Sequence, residues 1–196
     1  MTDVVGTEEA IARLQRGAVV AVPTDTVYGL AATLEHADAL FHLKRRPTSV
    51  ALPVLVGSRE AIDALGVSWP ETAGRLGDAF WPGALTIVVA VDPTLAASVG
   101  GGGTVGFRIP RDEVLLRILN ECGPLAVSSA NEHGESPCQS VEQVLEALGS
   151  NELLDAVLDG GVRGGNVSTV VEITQDSWKI LRAGSITDEA IERVLA

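Results

Sequence analysis

Short apolar runs separated by polar segments recur along almost the whole chain. Nearly continuous apolar stretches at residues 18–22, 52–56 and 85–91 predict buried strands. Between such runs, apolar residues return at helical spacing, for example over residues 112–122. Because helices and strands alternate, the pattern predicts an α/β fold with one twisted mixed sheet and flanking helices. No repeat or long linker interrupts the pattern, so we expect a single domain over residues 1–196.

The same pattern assigns the remaining elements. It predicts further strands at residues 104–109, 125–128, 156–158, 168–173 and 178–181. It predicts further helices at residues 7–16, 37–46, 70–80 and 140–148. Residues of the N-cap type stand at five predicted helix starts and are expected to cap them: Thr7, Ser58, Asp112, Ser140 and Thr187. Residues 24–30, which follow the first apolar run, are interpreted as a polar loop.

Composition and charge exclude several classes of protein. Hydrophobic residues make up 46% of the chain and charged residues 20%, as in ordinary globular proteins, but the net charge is −12. This charge argues against a broad nucleic-acid-binding face, which requires clustered basic residues. The apolar runs are too short to span a membrane and no signal peptide is recognisable, so we expect a cytoplasmic protein without membrane contact. Cys122 and Cys138 fit no metal-binding spacing and are expected to be free thiols.

The few basic residues are unevenly distributed. Lys44, Arg45 and Arg46 are adjacent at the end of a predicted helix, whereas Arg108 and Arg182 each stand late in a predicted strand. A guanidinium group in a buried strand requires a partner. A local positive pocket in an acidic protein suits a small anionic ligand better than a polymer.

Polar segments break the apolar pattern where four strands or helices end, at residues 24–26, 44–49, 128–134 and 168–169. Because open α/β sheets bind their ligands at strand ends, we expect these segments to face a common pocket. No Walker A, GxSxG or GxGxxG motif stands in the right context. The glycines at 100–103 lack the lysine and hydroxyl of a P-loop, so we predict a flexible surface loop there. The residues alone therefore predict the binding of a small anionic ligand, such as a nucleotide.

Seven motifs, taken together and in this order, resemble those of the YrdC-like family, the threonylcarbamoyl-AMP synthases. They are PTDTVYGL at 23–30, KRRP at 44–47, WPGALT at 81–86, TVGFRIP at 104–110, SANEHG at 129–134, STV at 168–170 and ILRAG at 180–184. The resemblance extends over residues 7–195. It implies a twisted α/β sheet curved around one deep positive cavity, as in the family.

The resemblance also implies an activity. Members of the family condense L-threonine, bicarbonate and ATP, with Mg²⁺, into L-threonylcarbamoyl-AMP and release diphosphate, which makes them nucleotidyltransferases. The product serves a tRNA threonylcarbamoyl transferase complex that modifies position 37 of tRNA. We expect Mg²⁺ to arrive with ATP and no metal to be bound tightly by the protein. RNA contact is possible on this resemblance, and both a monomer and a homodimer remain open.

Site residues carry over from the family motif by motif. The resemblance implies that Lys44 and Arg46 are catalytic, holding the triphosphate and the carbamate oxygens as diphosphate leaves. It assigns the nucleotide, besides these two, to Thr104, Ser129, Asn131 and Arg182. It assigns threonine to Thr24, Thr26, Tyr28, Arg108 and Ser168. No protein nucleophile is evident, so catalysis is expected to rest on positioning and charge stabilisation.

Alternatives remain open at this point. Asp25 and His133 are candidate general bases for the threonine amine. Val50 and the pair Glu132-His133 depart from the family pattern and motivate a related enzyme that forms carbamoyl-adenylate or another N-carboxy-amino-acid adenylate. A double-stranded RNA-binding module is the alternative from another class, and the net charge of −12 counts against it.

Overall fold

A single ten-stranded sheet forms the centre of the computed structural model, which describes residues 2–132, 134–175 and 177–196. The strands are β1 (Asp3–Val5), β2 (Val19–Pro23), β3 (Tyr28–Thr33), β4 (Val54–Leu55), β5 (Leu85–Ala90), β6 (Thr104–Arg108), β7 (Leu125–Ser129), β8 (Leu154–Leu158), β9 (Thr169–Ile173) and β10 (Trp178–Arg182). Their order across the sheet is β1-β8-β2-β3-β7-β4-β6-β5-β9-β10. Parallel pairs such as β4–β6 and β5–β9 alternate with antiparallel pairs such as β3–β7 and β5–β6, so the predicted mixed sheet is confirmed.

Helices cover both faces of the sheet. They are α1 (Thr7–Gln15), α2 (Asp38–Lys44), α3 (Arg59–Ala64), α4 (Glu71–Phe80), α5 (Pro93–Ser98), α6 (Glu113–Cys122), α7 (Val141–Leu148) and α8 (Asp188–Leu195), with a short 3-10 helix at Leu34–His36. None of the described helices is long and apolar enough to cross a membrane.

Alternation along β2 shows how the core is divided. Val20 and Val22 pack into one hydrophobic cluster together with α1 and α6, whereas Val19 and Ala21 pack into the larger cluster on the opposite face. Successive side chains of a strand point to opposite faces, so a strand covered on both sides must be apolar at every position. This explains why the run at residues 18–22 contains no polar residue.

One interpretation of local structure is wrong, and two elements were not predicted. Residues 24–30 were interpreted as a loop, but Tyr28 begins β3, which pairs antiparallel with β2 through Val22 and Gly29. The sequence of β3, YGLAAT, contains glycine and alanine, which have low strand propensity, and only burial between two strands makes it regular. Strand β1 and helix α5 were not predicted.

The predicted helix caps are mostly confirmed. The side chains of Asp112, Ser140 and Thr187 accept hydrogen bonds from backbone N–H groups in the first turns of α6, α7 and α8. Ser58 stands at the N-cap of α3, as predicted, but its side chain makes no capping hydrogen bond. The prediction for Thr7 is wrong, because Gly6 occupies the N-cap and Thr7 is already the first helical residue. An oxygen-bearing side chain is preferred but not required at that position, since glycine also serves.

Candidate active site

A cavity of about 430 Å³ opens on one face of the sheet. Its lining comes from β3, β4, β5, β6, β7, β9 and β10 and from the loops that follow β2 and α2. Nine of the eleven predicted site residues line it: Thr24, Thr26, Tyr28, Arg46, Thr104, Arg108, Ser129, Ser168 and Arg182. The polar segments that were expected to face a common pocket therefore do so.

Strand alternation builds the floor of the cavity. Every second residue of β6 faces it, namely Thr104, Gly106 and Arg108, and neighbouring β5 contributes Thr86 and Val88. A Cβ atom at Gly106 would lie 2.9 Å from Cγ2 of Thr86 and 3.3 Å from Cγ2 of Val88. The glycine therefore lets the side chains of β5 occupy the space above β6.

A hydroxyl-stabilised turn joins β2 to β3 at the inner end of the cavity. The Oγ1 atom of Thr24 accepts hydrogen bonds from the backbone N–H groups of Thr26 (3.0 Å) and Val27 (3.2 Å), and donates to the carbonyl of Val27 at 2.7 Å. It also lies 2.8 Å from Oγ1 of Thr26. Such local side-chain bonds explain why threonine is suited to a tight turn. The turn fixes two hydroxyl groups in the cavity wall.

Arg108 is the buried cation of this region, with an exposed fraction of 5%. Its Nε donates to the carbonyl of Gly83 (2.9 Å), one terminal nitrogen to Oγ1 of Thr26 (3.2 Å) and the other to a carboxylate oxygen of Asp25 (2.6 Å). Burial lowers the pKa of Arg108, and Asp25 opposes that shift. Guanidinium has five N–H donors, so these bonds to described residues leave two for a ligand.

Ser168 connects the inner end to β10. Its Oγ lies 3.0 Å from Oγ1 of Thr86 and accepts a 2.8 Å hydrogen bond from Arg182, which also donates twice to the Ser168 carbonyl. We call Thr24, Thr26, Arg108 and Ser168 the inner subsite, since all four are at most 5% exposed.

Arg46 lies at the exposed end of the cavity, next to Val50, whose side chain is 48% exposed. Its Nε donates to the carbonyl of Val50 (3.2 Å) and a terminal nitrogen donates to that of Ala51 (3.1 Å), which holds the side chain over this loop. Burial lowers the pKa of Arg46, and burial together with nearby Arg46 lowers that of Arg182. We call Arg46, Val50, Gly101, Leu181 and Arg182 the outer rim.

The cavity is positive within an acidic protein. Arg46, Arg108 and Arg182 line it, and no aspartate or glutamate does so within the described ranges. Since the whole chain carries a net charge of −12, the cavity concentrates the local positive potential. The predicted positive pocket is confirmed, and a small anion as its ligand stays a prediction.

The glycine run has a position that was not predicted. Residues 100–103 form a loop, as expected, but Gly101 and Gly102 also line the cavity. The N–H of Gly101 donates to the carbonyl of Thr48 at 3.0 Å, and a Cβ at Gly101 would lie 2.7 Å from the Cβ of Ala51. Because Gly101 also has a φ of +94°, glycine is required there both for conformation and for the close approach.

An apolar wall was not predicted from the sequence. Val88, Val170 and Leu181 line the cavity together with Val50, and the side chains of Val50 and Leu181 are each 48% exposed. Thr86 was missed as well, although a single polar residue within the apolar run at 85–91 was an available signal. The wall could not be recognised, because its residues look like ordinary strand residues until the pairing of β5, β9 and β10 is known.

Lys44 and Asn131 do not line the cavity. The Nζ of Lys44 donates to the Ser129 carbonyl (2.9 Å), the Asn131 carbonyl (2.5 Å) and Oδ1 of Asn131 (2.8 Å). Burial, and secondarily the nearby charge of Arg46, lower the pKa of Lys44 to about 8. Arg45 has a left-handed φ of 49°, which ends α2 and separates the directions of Lys44 and Arg46. Direct contact of Lys44 or Asn131 with a nucleotide stays a prediction.

The remaining candidates have other partners. The hydroxyl of Tyr28 accepts a hydrogen bond from the N–H of Gly160 (3.0 Å) and donates to the carbonyl of Gly161 (2.9 Å), so it supports that loop. Burial raises the pKa of Tyr28. Asp25, a candidate base, is engaged by Arg108. His133, the other candidate base, lies outside the described residues.

Comparison with known proteins agrees with this geometry. A family model described as Telomere recombination, that of the Sua5/YciO/YrdC domain, matches residues 12–184. The chain belongs to the Sua5/YciO/YrdC family. It is 38% identical over 195 residues to a putative threonylcarbamoyl-AMP synthase of Mycobacterium tuberculosis, covering 97% of this chain and 89% of the relative. It is 37% identical to the threonylcarbamoyl-AMP synthase of Bacillus subtilis, covering 95% of this chain and 56% of the relative.

Solved structures place this Sua5/YciO/YrdC chain in the same fold. The structure of Pyrococcus abyssi Sua5 complexed with L-threonine has a TM-score of 0.89 at 33% identity, and the match covers 96% of this chain and 57% of that one. Escherichia coli YciO, at 20% identity, shares the fold with a TM-score of 0.78. The chain thus spans little more than half the length of Sua5 from P. abyssi and most of the mycobacterial relative.

Proposed function

We propose that this chain synthesises L-threonylcarbamoyl-AMP from L-threonine, bicarbonate and ATP and releases diphosphate. The observation that carries the proposal is the cavity, which joins a buried arginine and three hydroxyl groups at one end to two further arginines and an apolar wall at the other. Relatives that align with nearly the whole chain are named threonylcarbamoyl-AMP synthases, and P. abyssi Sua5 has been solved with L-threonine.

The inner subsite fits an amino acid. The two remaining N–H groups of Arg108 are suited to the α-carboxylate of threonine, since guanidinium binds carboxylates through paired hydrogen bonds. Thr26 and Ser168 offer hydroxyl groups to the amine and the side-chain hydroxyl of threonine, while the hydroxyl of Thr24, which is fully bonded within the turn, holds Thr26 in place. Tyr28 shapes this subsite by fixing the loop at Gly160.

The outer rim fits a nucleotide, which makes the enzyme a nucleotidyltransferase under this proposal. Arg46 and Arg182 supply positive charge for the phosphates, and burial already raises the cost of keeping these cations without an anion. Val50 and Leu181 supply apolar surface for a base. Thr104 and Ser129, which were predicted to hold the nucleotide, line the same cavity.

The proposed chemistry has two steps. The deprotonated amine of threonine attacks the carbon of CO₂ formed from bicarbonate, and an N-carboxylate forms as the amine proton is released. An oxygen of this carboxylate then attacks the α-phosphorus of ATP, the bond to the β-phosphate oxygen breaks, and diphosphate leaves. Arg46 and Arg182 offset the negative charge that develops on the phosphates, while the inner subsite holds the attacking group in place.

Mg²⁺ would enter as MgATP. Carboxylate ligands are typical for protein-bound Mg²⁺, and the described part of the cavity wall offers hydroxyl groups and arginines but no carboxylate. The donor set therefore fits an ion carried by the triphosphate. The proposal also includes the use of the product by a tRNA threonylcarbamoyl transferase complex in the cytoplasm. RNA contact stays a prediction, and both a monomer and a homodimer remain open.

Incubation with ATP, bicarbonate and threonine, followed by chromatography of the adenylates, tests the proposal. We expect diphosphate release that requires both threonine and bicarbonate. Omission of each substrate, and replacement of threonine by serine or valine, provide the controls. Release without an amino acid would favour a carbamoyl-adenylate enzyme, and release with another amino acid only would favour a different N-carboxy-amino-acid adenylate. No release at all would overturn the proposal.

A further inference from the structure

Residues 160–166, which we call the glycine segment, lie between β8 and the inner subsite. The segment contains four glycines and has no regular secondary structure, and Ser168 follows shortly after it. Glycine allows more backbone conformations than other residues, so such a segment has a fixed position only where specific contacts impose one. The N–H of Gly165 donates to the carbonyl of Thr26 at 3.1 Å. The position of the glycine segment therefore bears on both Thr26 and Ser168.

Arg163 fastens the glycine segment at its centre. One terminal nitrogen of its guanidinium donates to a carboxylate oxygen of Asp112 (2.8 Å), and the other donates to the carbonyl of Gly160 (2.6 Å). The backbone N–H of Arg163 donates to the carbonyl of Gln139 at 2.8 Å. Arg163 thus closes the segment on itself and bonds it to the residues at which α6 and α7 begin.

Asp112 is a firm anchor for this arginine. It is the N-cap of α6, and its other carboxylate oxygen accepts a 2.8 Å hydrogen bond from the N–H of Leu115. Helix α6 packs its buried residues, Leu115 among them, into the hydrophobic cluster that it shares with α1 and β2. The carboxylate that holds Arg163 is therefore fixed to a packed helix.

The ion pair between Arg163 and Asp112 is largely buried, because the two side chains are 18% and 9% exposed. The Nε of Arg163 is also buried, and it has no hydrogen-bond partner among the residues that the structure describes. The cost of removing two charges from water offsets most of their attraction, and a buried donor without a partner is unfavourable. The pair is therefore better explained by the position that it imposes on the glycine segment than by a gain in stability.

We propose that Arg163 is a positioning residue for amino-acid binding, which together with Asp112 holds the glycine segment so that Thr26 and Ser168 keep their places in the inner subsite. This inference rests on the proposed function. Neither Arg163 nor Asp112 lines the cavity, so both act on threonine only through the segment. Arg46 of the outer rim bonds to carbonyl groups of its own loop, so nucleotide binding should not depend on Arg163.

Two substitutions break the ion pair from its two sides. Arg163→Gln removes the cation, whereas Asp112→Asn removes the anion and keeps an oxygen that can cap α6, because asparagine caps helices as well as aspartate does. Arg59→Gln is the matched control, since it breaks an exposed pair of the same type, with Asp78 at 2.5 Å, away from the cavity. We measure the dissociation constants of threonine and AMP for the three variants and for the unchanged protein by calorimetry.

The comparison of the two ligands decides the outcome. We expect Arg163→Gln and Asp112→Asn each to weaken threonine by a factor on the order of tenfold and to leave AMP unchanged, and the double variant to be no weaker than either, because both remove the same contact. Arg59→Gln should change neither affinity. Normal threonine affinity in Arg163→Gln, or an equal loss of threonine and AMP, would overturn the inference. If this variant does not fold, Arg163→Lys, which keeps the charge but not the planar fork, is measured in the same way.

Hydrogen exchange of the ligand-free protein gives a readout that does not depend on the proposed function. We expect the amides of residues 160–166 to exchange faster in Arg163→Gln and Asp112→Asn and to be unchanged in Arg59→Gln. Unchanged exchange in the first two variants contradicts the positioning role. An unchanged protein that does not bind threonine would instead contradict the proposed function, while the exchange measurement would still test whether Arg163 fastens the segment.

Discussion

The inner subsite and the outer rim each contain an arginine, but the two arginines differ in burial and in hydrogen-bond partners. Arg108 is 5% exposed and bonded to three protein oxygens, among them a carboxylate of Asp25. Among the residues that the structure describes, Arg46 bonds only to carbonyl groups of its own loop, and it stands beside Val50, which is 48% exposed. A buried cation with a counter-ion is fixed before any ligand arrives, whereas a rim cation gains its ionic partner from the ligand.

This difference indicates how the two ends are used. A preorganised subsite restricts the orientation of a small molecule, which suits the amino acid whose nitrogen must react. The open rim can accept and release a larger charged group, which suits a triphosphate that leaves as diphosphate. Arg182 connects the two, because it donates to Ser168 of the inner subsite while lying near Arg46.

Replacement of Arg108 should break the inner subsite and give the largest effect. Arg108→Ala leaves the buried carboxylate of Asp25 without its cation, so we expect the free energy of unfolding to fall by about 3–5 kcal/mol. We also expect threonine-dependent turnover to fall by a factor on the order of 10³, because the guanidinium that binds the carboxylate of threonine is lost. Denaturant titration and diphosphate release measure the two quantities.

Arg111→Ala is the matched control for this change. Arg111 is exposed, and its Nε donates only to the carbonyl of Pro82 at 2.9 Å. Stability and turnover should therefore stay close to those of the unchanged protein. Equal losses in both variants would show that the buried pair with Asp25 has no special weight.

A methyl group added to the floor of the cavity, between the inner subsite and the outer rim, should give the next largest effect. A methyl group in Gly106→Ala lies 2.9 Å from Cγ2 of Thr86, so the side chain of Thr86 or the strand that carries it must shift. We expect about 1–3 kcal/mol of destabilisation, and a loss of affinity for both threonine and ATP, measured by calorimetry. Gly164→Ala is the control, because nothing lies within 4 Å of the added atom. Loss of only one ligand would show that the two ends are structurally independent.

The sequence was sufficient for the parts of the molecule that depend on local patterns. The apolar run at residues 18–22 and the caps Asp112 and Ser140 were found because strand burial and capping leave signatures within a few residues. The hairpin partner β3 was not found, because its glycine and alanines become a strand only through pairing with β2 and β7.

In the candidate site too, features that depend on contacts distant in sequence could not be predicted. Motifs indicated that Lys44 and Arg46 belong to one cluster, but Lys44 bonds to the turn after β7, whereas Arg46 bonds to carbonyl groups of its own loop. The buried bond between Asp25 and Arg108 spans 83 residues of sequence and has no local signature. Contacts of this kind follow from the order of the strands, which the sequence pattern alone does not determine.

The pH dependence of nucleotide binding should sharpen the comparison further. Lys44 has a pKa of about 8, and its ammonium form supplies all three donors to the turn. As the pH rises through that value the folded protein loses this proton, so we expect AMP affinity to fall by up to about tenfold between pH 8 and 9. The titratable groups that act on Lys44 are Arg46, which stays protonated, and the thiol of Cys138, whose pKa is raised by burial.

Lys44→Arg is the control for this prediction, because guanidinium does not titrate in the range. Its AMP affinity should be weaker at every pH but flat from pH 7 to 9. The free energy of unfolding has the opposite trend. Between pH 8 and pH 10.5, which is the ordinary pKa of lysine, the unfolded chain keeps the proton of Lys44 and the folded chain does not. This group alone therefore makes unfolding less favourable as the pH rises. An AMP affinity that is flat in the unchanged protein would contradict a role for the Lys44 ammonium.

Truncation of an apolar side chain in the outer rim should give the smallest effect. Leu181→Ala removes apolar surface from a side chain that is already 48% exposed, so we expect a loss of only about 1 kcal/mol in nucleotide binding, roughly fivefold in affinity. Threonine affinity, measured by calorimetry without ATP, should not change, because Leu181 does not belong to the inner subsite. Val162→Ala, at a side chain that is 80% exposed and outside the cavity, is the matched control. If Leu181→Ala weakened threonine as much as ATP, the rim and the inner subsite would act as one unit, and the distinction between an open end and a preorganised end would fail.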